Sequence, residues 1–156
     1  MATNKLALFM KSPFDDHYYM KKAIAEAKLA FEKDEVPVGA LIVSKQQIIA
    51  KSHNLTELLC DVTAHAEMQA ITAAANYLGA KYLKSCTLYV TLEPCQMCAG
   101  ALYWSQIGKV VYAAEDSRRG YRAMGVSLHP KTQVEFGILG RESRKLLQEF
   151  FDRKRL

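Results

Sequence analysis

Two short motifs, far apart in the chain, constrain its fold more than any other feature. His65 and Glu67 lie in Thr-Ala-His-Ala-Glu, and Cys95 and Cys98 lie in Glu-Pro-Cys-Gln-Met-Cys. Imidazole and thiolate groups are preferred zinc ligands, and a site with three protein ligands keeps a fourth position for water. The pattern therefore predicts one Zn²⁺ per chain, bound by His65, Cys95 and Cys98, and a fold that brings both motifs together.

Both motifs are typical of the start of a helix. Cys95 and Cys98 are three residues apart, which places both sulfur atoms on one helix face, and the preceding Pro94 suits a helix opening. The alanine-rich run after His65 predicts a second helix over residues 66–77, with Thr63 available as its cap. A helix N-terminus also favours the thiolate that zinc requires. We expect two helix starts to converge on one ion.

Glu67 distinguishes a reactive zinc site from a structural one. A carboxylate beside a zinc-activated water can accept and deliver protons. Cys60 could instead supply a fourth ligand and close the site, but Glu67 would then have no role. A further alternative makes the two cysteines buried or redox-active thiols and His65 a core imidazole. The combination of H-x-E with P-C-x-x-C favours the reactive site.

Length and composition fit a single domain. The chain has 156 residues, half of them hydrophobic, which is enough for one sizeable core. The apolar stretch from Leu6 to Met10 is too short to span a membrane, and no cleavage site follows it. We expect a cytoplasmic protein with no membrane association, no organic cofactor, and free or metal-bound cysteines rather than disulfides.

Helical and strand patterns alternate along the chain. Asp15 and Asp16 can cap a helix with apolar residues at helical spacing (Met20, Ile24, Ala27 and Phe31), and a hairpin of residues 38–43 and 47–50 follows. After the helix over 66–77 come a strand over 86–91, a helix over 95–104, a strand over 109–114, a segment over 133–139 and a C-terminal helix. This alternation predicts parallel crossovers and a layered α/β domain with a mixed sheet.

The C-terminal segment is basic. Residues 141–156 contain six basic and three acidic residues, so the segment carries +3 of the chain's net charge of +5. A basic helix end attracts phosphate groups, but cations also favour the end of a helix for its dipole alone. Charge by itself does not decide between these two readings.

Nearly the whole chain resembles the cytidine deaminase-like zinc deaminases, and within them the tRNA adenosine deaminases. The resemblance rests on the two motifs and on Val36-Pro37-Val38-Gly39-Ala40, His53-Asn54, residues 87–101 and the Phe-Phe-Asp-Arg-Lys-Arg tail. It implies a three-layer α/β/α cytidine deaminase-like fold with a five-stranded mixed sheet. Residues 15–156 would form a single zinc-dependent deaminase domain, and residues 1–14 an N-terminal extension.

The resemblance also implies an activity and its site residues. The reaction would be hydrolytic deamination of adenosine to inosine at the wobble position of a tRNA anticodon stem-loop. Glu67 would transfer protons, and the backbone N–H of Cys95 would position the water. The implied substrate-binding residues are Asn54, Ala66, Pro94, Asp116, Arg118 and Arg119. The chain departs from well-known members at Glu115, where they have a basic residue, and in the loop over 121–130.

Other assignments remain open at this stage. The resemblance implies a homodimer, and Met97, Leu102, Tyr103 and Trp104 could form its contact surface or equally belong to the helix core. A free nucleobase or nucleoside deaminase acting on guanine or cytosine would need no phosphate-binding surface. A non-catalytic, zinc-stabilised RNA-binding module would leave Glu67 without a role.

Overall fold

The structure is a computed structural model that describes residues 14–155. Of the extension predicted over residues 1–14, only Phe14 belongs to the described part. No helix within the described range is long and apolar enough to cross a membrane. The elements are α1 (Asp16–Glu32), β1 (Gly39–Ser44), β2 (Gln47–His53), α2 (Ala66–Leu78), β3 (Cys86–Leu92), α3 (Gln96–Ser105), β4 (Lys109–Ala114), β5 (Gln133–Phe136) and α4 (Gly140–Lys154).

The five strands form one mixed sheet in the order β2-β1-β3-β4-β5. Strand β1 is antiparallel to both of its neighbours, β2 and β3, whereas β4 is parallel to both β3 and β5. Because β1 is antiparallel to both of its neighbours, β2 runs in the same direction as β3 and β4. The carboxyl ends of these three strands therefore meet at one edge of the sheet, the edge at which α/β proteins commonly bind ligands.

Helices cover both faces of the sheet, which confirms the predicted three layers. Helices α1 and α4 pack on one face, and α2 packs with α3 on the other. Strand β1, between β2 and β3, is buried along its whole length, and alternate residues face opposite cores. Ala40 and Ile42 join the core under α2, while Leu41 and Val43 join the core under α1. A strand buried on both faces explains the near-continuous apolar run in the sequence.

Local sequence signals predicted most element starts. Asp15 caps α1 by accepting a hydrogen bond from the Tyr18 backbone N–H at 2.8 Å. The expected cap at Thr63 is wrong, because its hydroxyl donates to Asp61 and α2 instead begins at His65 without a side-chain cap. The last strand is shorter than the segment over 133–139, because Gly137, directly after Phe136, has a positive φ of 98° that interrupts the extended backbone.

Candidate active site

Two helix starts bring the three predicted metal ligands together. His65 is the N-cap of α2 and Cys95 is the N-cap of α3, with Cys98 in the first turn of α3. The His65 Nδ1 atom lies 3.6 Å from the Cys95 Sγ atom and 3.5 Å from the Cys98 Sγ atom. The three donor atoms all lie within 4.8 Å of one another.

These distances fit a tetrahedral zinc site. Zinc bonds of about 2.3 Å to sulfur and about 2.0 Å to nitrogen would separate the two donor atoms by about 3.5 to 3.6 Å. Cys60 does not belong to the group, because its side chain is exposed on a loop and its Sγ atom contacts the Glu57 carbonyl oxygen. The described residues thus offer three donors, and no fourth protein ligand closes the site.

The thiols of Cys95 and Cys98 have different pKa values. Hydrogen bonds from Cys98 and then from His65 to the Cys95 sulfur lower the pKa of the Cys95 thiol to about 4. The same hydrogen bond, together with burial, raises the pKa of Cys98. Cys95 is half-buried and faces the cavity described below, whereas Cys98 is fully buried. Zinc would bind both sulfurs as thiolates, and the more exposed Cys95 loses its proton more readily.

Glu67 combines deep burial with access to the same cavity. It lies in the first turn of α2, is only 4% exposed, and lines the cavity beside His65 and Cys95. Burial raises the pKa of its carboxyl to about 7, and the charge of Cys95 acts in the same direction. A carboxyl with this pKa can accept and release a proton near neutral pH, as a general acid–base group must.

A cavity of about 690 Å³ opens at the sheet edge where β2, β3 and β4 end. It has room for a nucleobase with part of its sugar. Among the predicted substrate-binding residues, Pro94 is buried and is not part of the lining. The lining includes all the other predicted substrate-binding residues, namely Asn54, Ala66, Asp116, Arg118 and Arg119.

Asn54 follows β2 directly and has a fixed orientation. Its amide nitrogen donates to the Val36 carbonyl oxygen at 3.2 Å, and its amide oxygen accepts from the Thr56 backbone N–H at 3.2 Å. An asparagine amide has two N–H donors and two acceptor lone pairs. One donor and one acceptor position therefore remain for a ligand in the cavity.

Glu35 supports this region and was missed by sequence reasoning. Its carboxylate is 1% exposed and accepts hydrogen bonds from the backbone N–H groups of Glu57 at 3.2 Å and Leu58 at 2.7 Å. It thereby anchors the loop that follows Asn54. A lone glutamate before a strand has no local pattern that predicts contacts with backbone groups more than twenty residues away.

The turn after β4 carries the predicted phosphate contacts. The Asp116 carboxylate accepts hydrogen bonds from the backbone N–H groups of Arg118 at 3.1 Å and Arg119 at 3.0 Å. This closes the turn and leaves both arginine side chains exposed beside the cavity. The Oδ1 atom of Asp116 is therefore already engaged in the hydrogen bonds of its own turn.

Comparison with known proteins places the chain in a family. The MafB19-like deaminase family model matches residues 14–155. A tRNA-specific adenosine deaminase of Aquifex aeolicus is 48% identical over 148 residues, covering 88% of this chain and 95% of the relative. This chain belongs to the tRNA-specific adenosine deaminase family. The family is hydrolytic, which agrees with the reactive site predicted from the two motifs.

Solved structures confirm the cytidine deaminase-like fold. One comes from a study of A-to-I editing by tRNA:A34 deaminases at the wobble position of transfer RNA, with 40% identity and a TM-score of 0.77. That match covers 83% of this chain and 98% of the solved chain. A guanine deaminase of Bacillus subtilis is 40% identical with a TM-score of 0.63, over 65% of this chain and 66% of the solved chain.

The C-terminal helix of this family member forms a wall of the cavity. Leu147 and Phe151 of α4 belong to its lining. Two of the basic tail residues are already engaged, because Arg153 lies 3.2 Å from an Asp34 carboxylate oxygen and Lys154 pairs with the other oxygen. Not all of the tail's positive charge is therefore available for phosphate groups.

The residues considered for a dimer contact divide between core and surface. Leu102 is fully buried and belongs to the core under α2 and α3. Trp104 is 77% exposed, and Tyr103 is 39% exposed with its ring centroid 6.0 Å from that of Trp104. Met97 is partly buried. Of these four residues, Tyr103 and Trp104 are the two that present apolar surface to solvent.

Proposed function

We propose that this chain is a zinc-dependent hydrolase that converts adenosine to inosine at the wobble position of a tRNA anticodon. The observation that carries the proposal is the buried Glu67 carboxyl beside the His65, Cys95 and Cys98 donors, inside a cavity of nucleobase size. The relatives named tRNA-specific adenosine deaminase support the choice of substrate.

His65, Cys95 and Cys98 would hold the metal. When bound, zinc would act as a Lewis acid that lowers the pKa of a water molecule to about 7. The buried Cys98 would fix the inner side of the site, while His65 and Cys95 face the cavity. A substrate in the cavity would therefore reach the donor group beside His65 and Cys95.

Glu67 would transfer the protons of the reaction. It would accept one proton from the attacking water and deliver it to the purine ring nitrogen. It would then transfer the second proton of that water oxygen to the exocyclic amine, so that the C–N bond breaks, ammonia leaves and the ring carbonyl forms. A carboxyl pKa of about 7 suits both directions of transfer. The backbone N–H of Cys95, at the start of α3, would donate a hydrogen bond to the attacking water.

The cavity walls would select the base and hold the RNA. Asn54 would use its free donor and acceptor on the purine edge, and Ala66 would shape the base site. Asp116 would contact a neighbouring nucleotide, and Arg118 and Arg119 would bind phosphate groups. A base in a single-stranded anticodon loop costs less to extrude than a paired one, so the loop suits this cavity.

The similarity to a guanine deaminase keeps a free base as a second candidate substrate. Two exposed arginines beside the cavity favour RNA, because a free base offers them no phosphate group. A non-catalytic RNA-binding role is not supported by a buried carboxyl with a raised pKa at the metal-ligand group.

We also infer a cytoplasmic homodimer that uses the exposed end of α3. Tyr103 and Trp104 present an apolar surface of the kind that marks protein contacts. Sedimentation of the wild type and of Trp104→Glu tests this, since the substitution should shift the protein to monomers. An unchanged sedimentation coefficient in the variant would exclude this surface as the dimer contact.

The function is tested with an anticodon stem-loop carrying a wobble adenosine, followed by nuclease digestion and mass spectrometry for inosine. Free adenosine, guanine and cytosine are assayed in parallel, and Glu67→Gln is the control. We expect inosine in the RNA with wild type, none with Glu67→Gln, and equal metal content in both proteins. Ammonia from a free base with unchanged RNA would refute the proposal.

A further inference from the structure

The segment over residues 115–122 connects β4 to the outer part of the cavity. It contains Asp116, Arg118 and Arg119, which all line the cavity. Its second half runs beside the start of α3, where the Tyr121 backbone N–H donates to the Pro94 carbonyl oxygen at 2.9 Å. Gly120 also pairs with Cys95 as an isolated antiparallel bridge. The segment therefore pairs directly with Cys95, one of the metal-ligand residues.

A buried carboxylate lies between the segment and α3. The side chain of Glu93 is 2% exposed, and its Oε1 atom accepts hydrogen bonds from Arg122 Nη2 at 2.9 Å and Arg122 Nε at 3.2 Å. Its Oε2 atom has no hydrogen-bond partner among residues 14–155. A Cβ atom at Gly120 would lie 1.6 Å from this Oε2 atom, so the segment packs directly on the carboxylate.

Arg122 joins this carboxylate to two other elements. Its Nη2 atom also lies 3.5 Å from a carboxylate oxygen of Glu115, at the start of the segment. Its guanidinium group lies over the rings of Phe136 at 4.9 Å and Tyr112 at 5.7 Å, and these rings stack on each other. Arg122, the last residue of the segment, thus contacts the first residue of the segment, the residue before Pro94, and strands β4 and β5.

We propose that Arg122 is a positioning residue for the RNA substrate, which holds the 115–122 segment against the start of α3 and so places Asp116, Arg118 and Arg119 at the cavity. This inference rests on the proposed function for its substrate. It assigns to Arg122 no contact with the substrate and no part in the proton transfers.

Arg122 matters to the segment because Glu93 is buried, and not because of the number of ion pairs that Arg122 makes. An ion pair between two exposed groups contributes little, but removing the partner of a buried carboxylate leaves an uncompensated charge. The simplest relief is for the segment to move and admit water to Glu93. Lysine cannot reproduce these contacts. It lacks the two N–H donors that bind Oε1 together, and it lacks the planar guanidinium group that lies over the rings of Phe136 and Tyr112.

The test compares Arg122→Gln and Arg122→Lys with a matched control, Lys81→Gln. Lys81 also lies over an aromatic ring, that of Tyr82 at 5.1 Å, but is not part of the cavity lining. Steady-state kinetics on the stem-loop are combined with metal content and with limited trypsin digestion of the native proteins. Trypsin cleaves after arginine, so cleavage after Arg118 and Arg119 reports detachment of the segment without any need for activity.

We expect both Arg122 variants to raise KM for the stem-loop by about 10-fold to 100-fold with a smaller fall in kcat, as a misplaced binding residue does. Cleavage after Arg118 and Arg119 should accelerate, metal content should stay at the wild-type level, and Lys81→Gln should match wild type. Wild-type KM and cleavage rate in Arg122→Gln would overturn the proposal. The proposal would also be overturned if KM stayed unchanged and kcat fell in proportion to the metal content or to the folded fraction of the protein.

Failure of the proposed function has a different signature. If wild type leaves the stem-loop unchanged, the substrate proposal fails, while the digestion still decides whether Arg122 holds the segment. If wild type is active and Arg122→Gln keeps both its KM and its cleavage rate, only the role of Arg122 is refuted.

Discussion

Replacement of Glu35 is the sharpest test of how the cavity wall is held in place. Its buried carboxylate is the acceptor for two backbone N–H groups, at 2.7 Å and 3.2 Å. A hydrogen bond to a charged group contributes about 1.5 to 3 kcal/mol net. Because Glu57 and Leu58 are exposed residues whose freed N–H groups can reach water, the lower value applies. Glu35→Ala should therefore cost about 3 kcal/mol of unfolding free energy.

Glu35→Gln separates the hydrogen bonds from the packing. The glutamine keeps the size of the side chain and one acceptor oxygen, so the bond from Leu58 can persist, whereas its NH₂ group faces the Glu57 N–H. We expect a loss of about 1.5 to 2 kcal/mol, measured by urea denaturation of the zinc-loaded protein. Glu57→Gln is the matched control, because this exposed side chain lies on the same loop and should cost less than about 0.5 kcal/mol.

The loop also fixes the orientation of the Asn54 side chain, so the same variants can be tested by their KM for the stem-loop. The Thr56 N–H that holds the Asn54 amide lies directly before the anchored residues. Glu35→Gln should therefore raise KM for the stem-loop, while Glu57→Gln should not. A Glu35→Gln protein within about 0.5 kcal/mol of wild type, with unchanged KM, would refute the reasoning that this carboxylate organises the loop.

Two further predictions concern the metal and the pH dependence of stability. Removal of zinc with a chelator should abolish deamination and lower Tm, and added Zn²⁺ should restore both in wild type but not in Cys98→Ser. For Asp16, burial raises the pKa, but hydrogen bonds from Tyr89 and the charge of Lys109 outweigh it and leave the pKa lowered. A lowered folded pKa stabilises the protein above the ordinary aspartate value of about 3.9, and this contribution is lost as pH falls through the folded value. The urea midpoint of Asp16→Asn should thus fall less than that of wild type between about pH 5 and about pH 3, and an equal fall would contradict this assignment.

Local sequence signals were sufficient for the elements and the metal-ligand group. Alternation of apolar runs predicted the order of helices and strands, and Asp15 before an amphipathic stretch predicted the start of α1. The combination of H-x-E with P-C-x-x-C predicted that His65, Cys95 and Cys98 would converge, whereas the Cys-x-x-Cys spacing by itself left buried or redox-active thiols as an alternative. The helix starts rest on neighbours within one or two turns of chain, and the convergence of the two motifs rests on their shared zinc chemistry.

The tertiary structure decided which side chains support the site. Because β1 is antiparallel to both neighbours, the carboxyl ends of β2, β3 and β4 lie at one edge of the sheet. No single segment of the sequence encodes that arrangement. The partners of Glu35, Arg122 and the tail cations are distant in sequence, as in the pairing of Lys154 with Asp34. Such contacts depend on how separate elements pack, and their energy comes from burial that exists only in the folded chain. The chemistry was therefore readable from the sequence, whereas the framework that positions it required the fold.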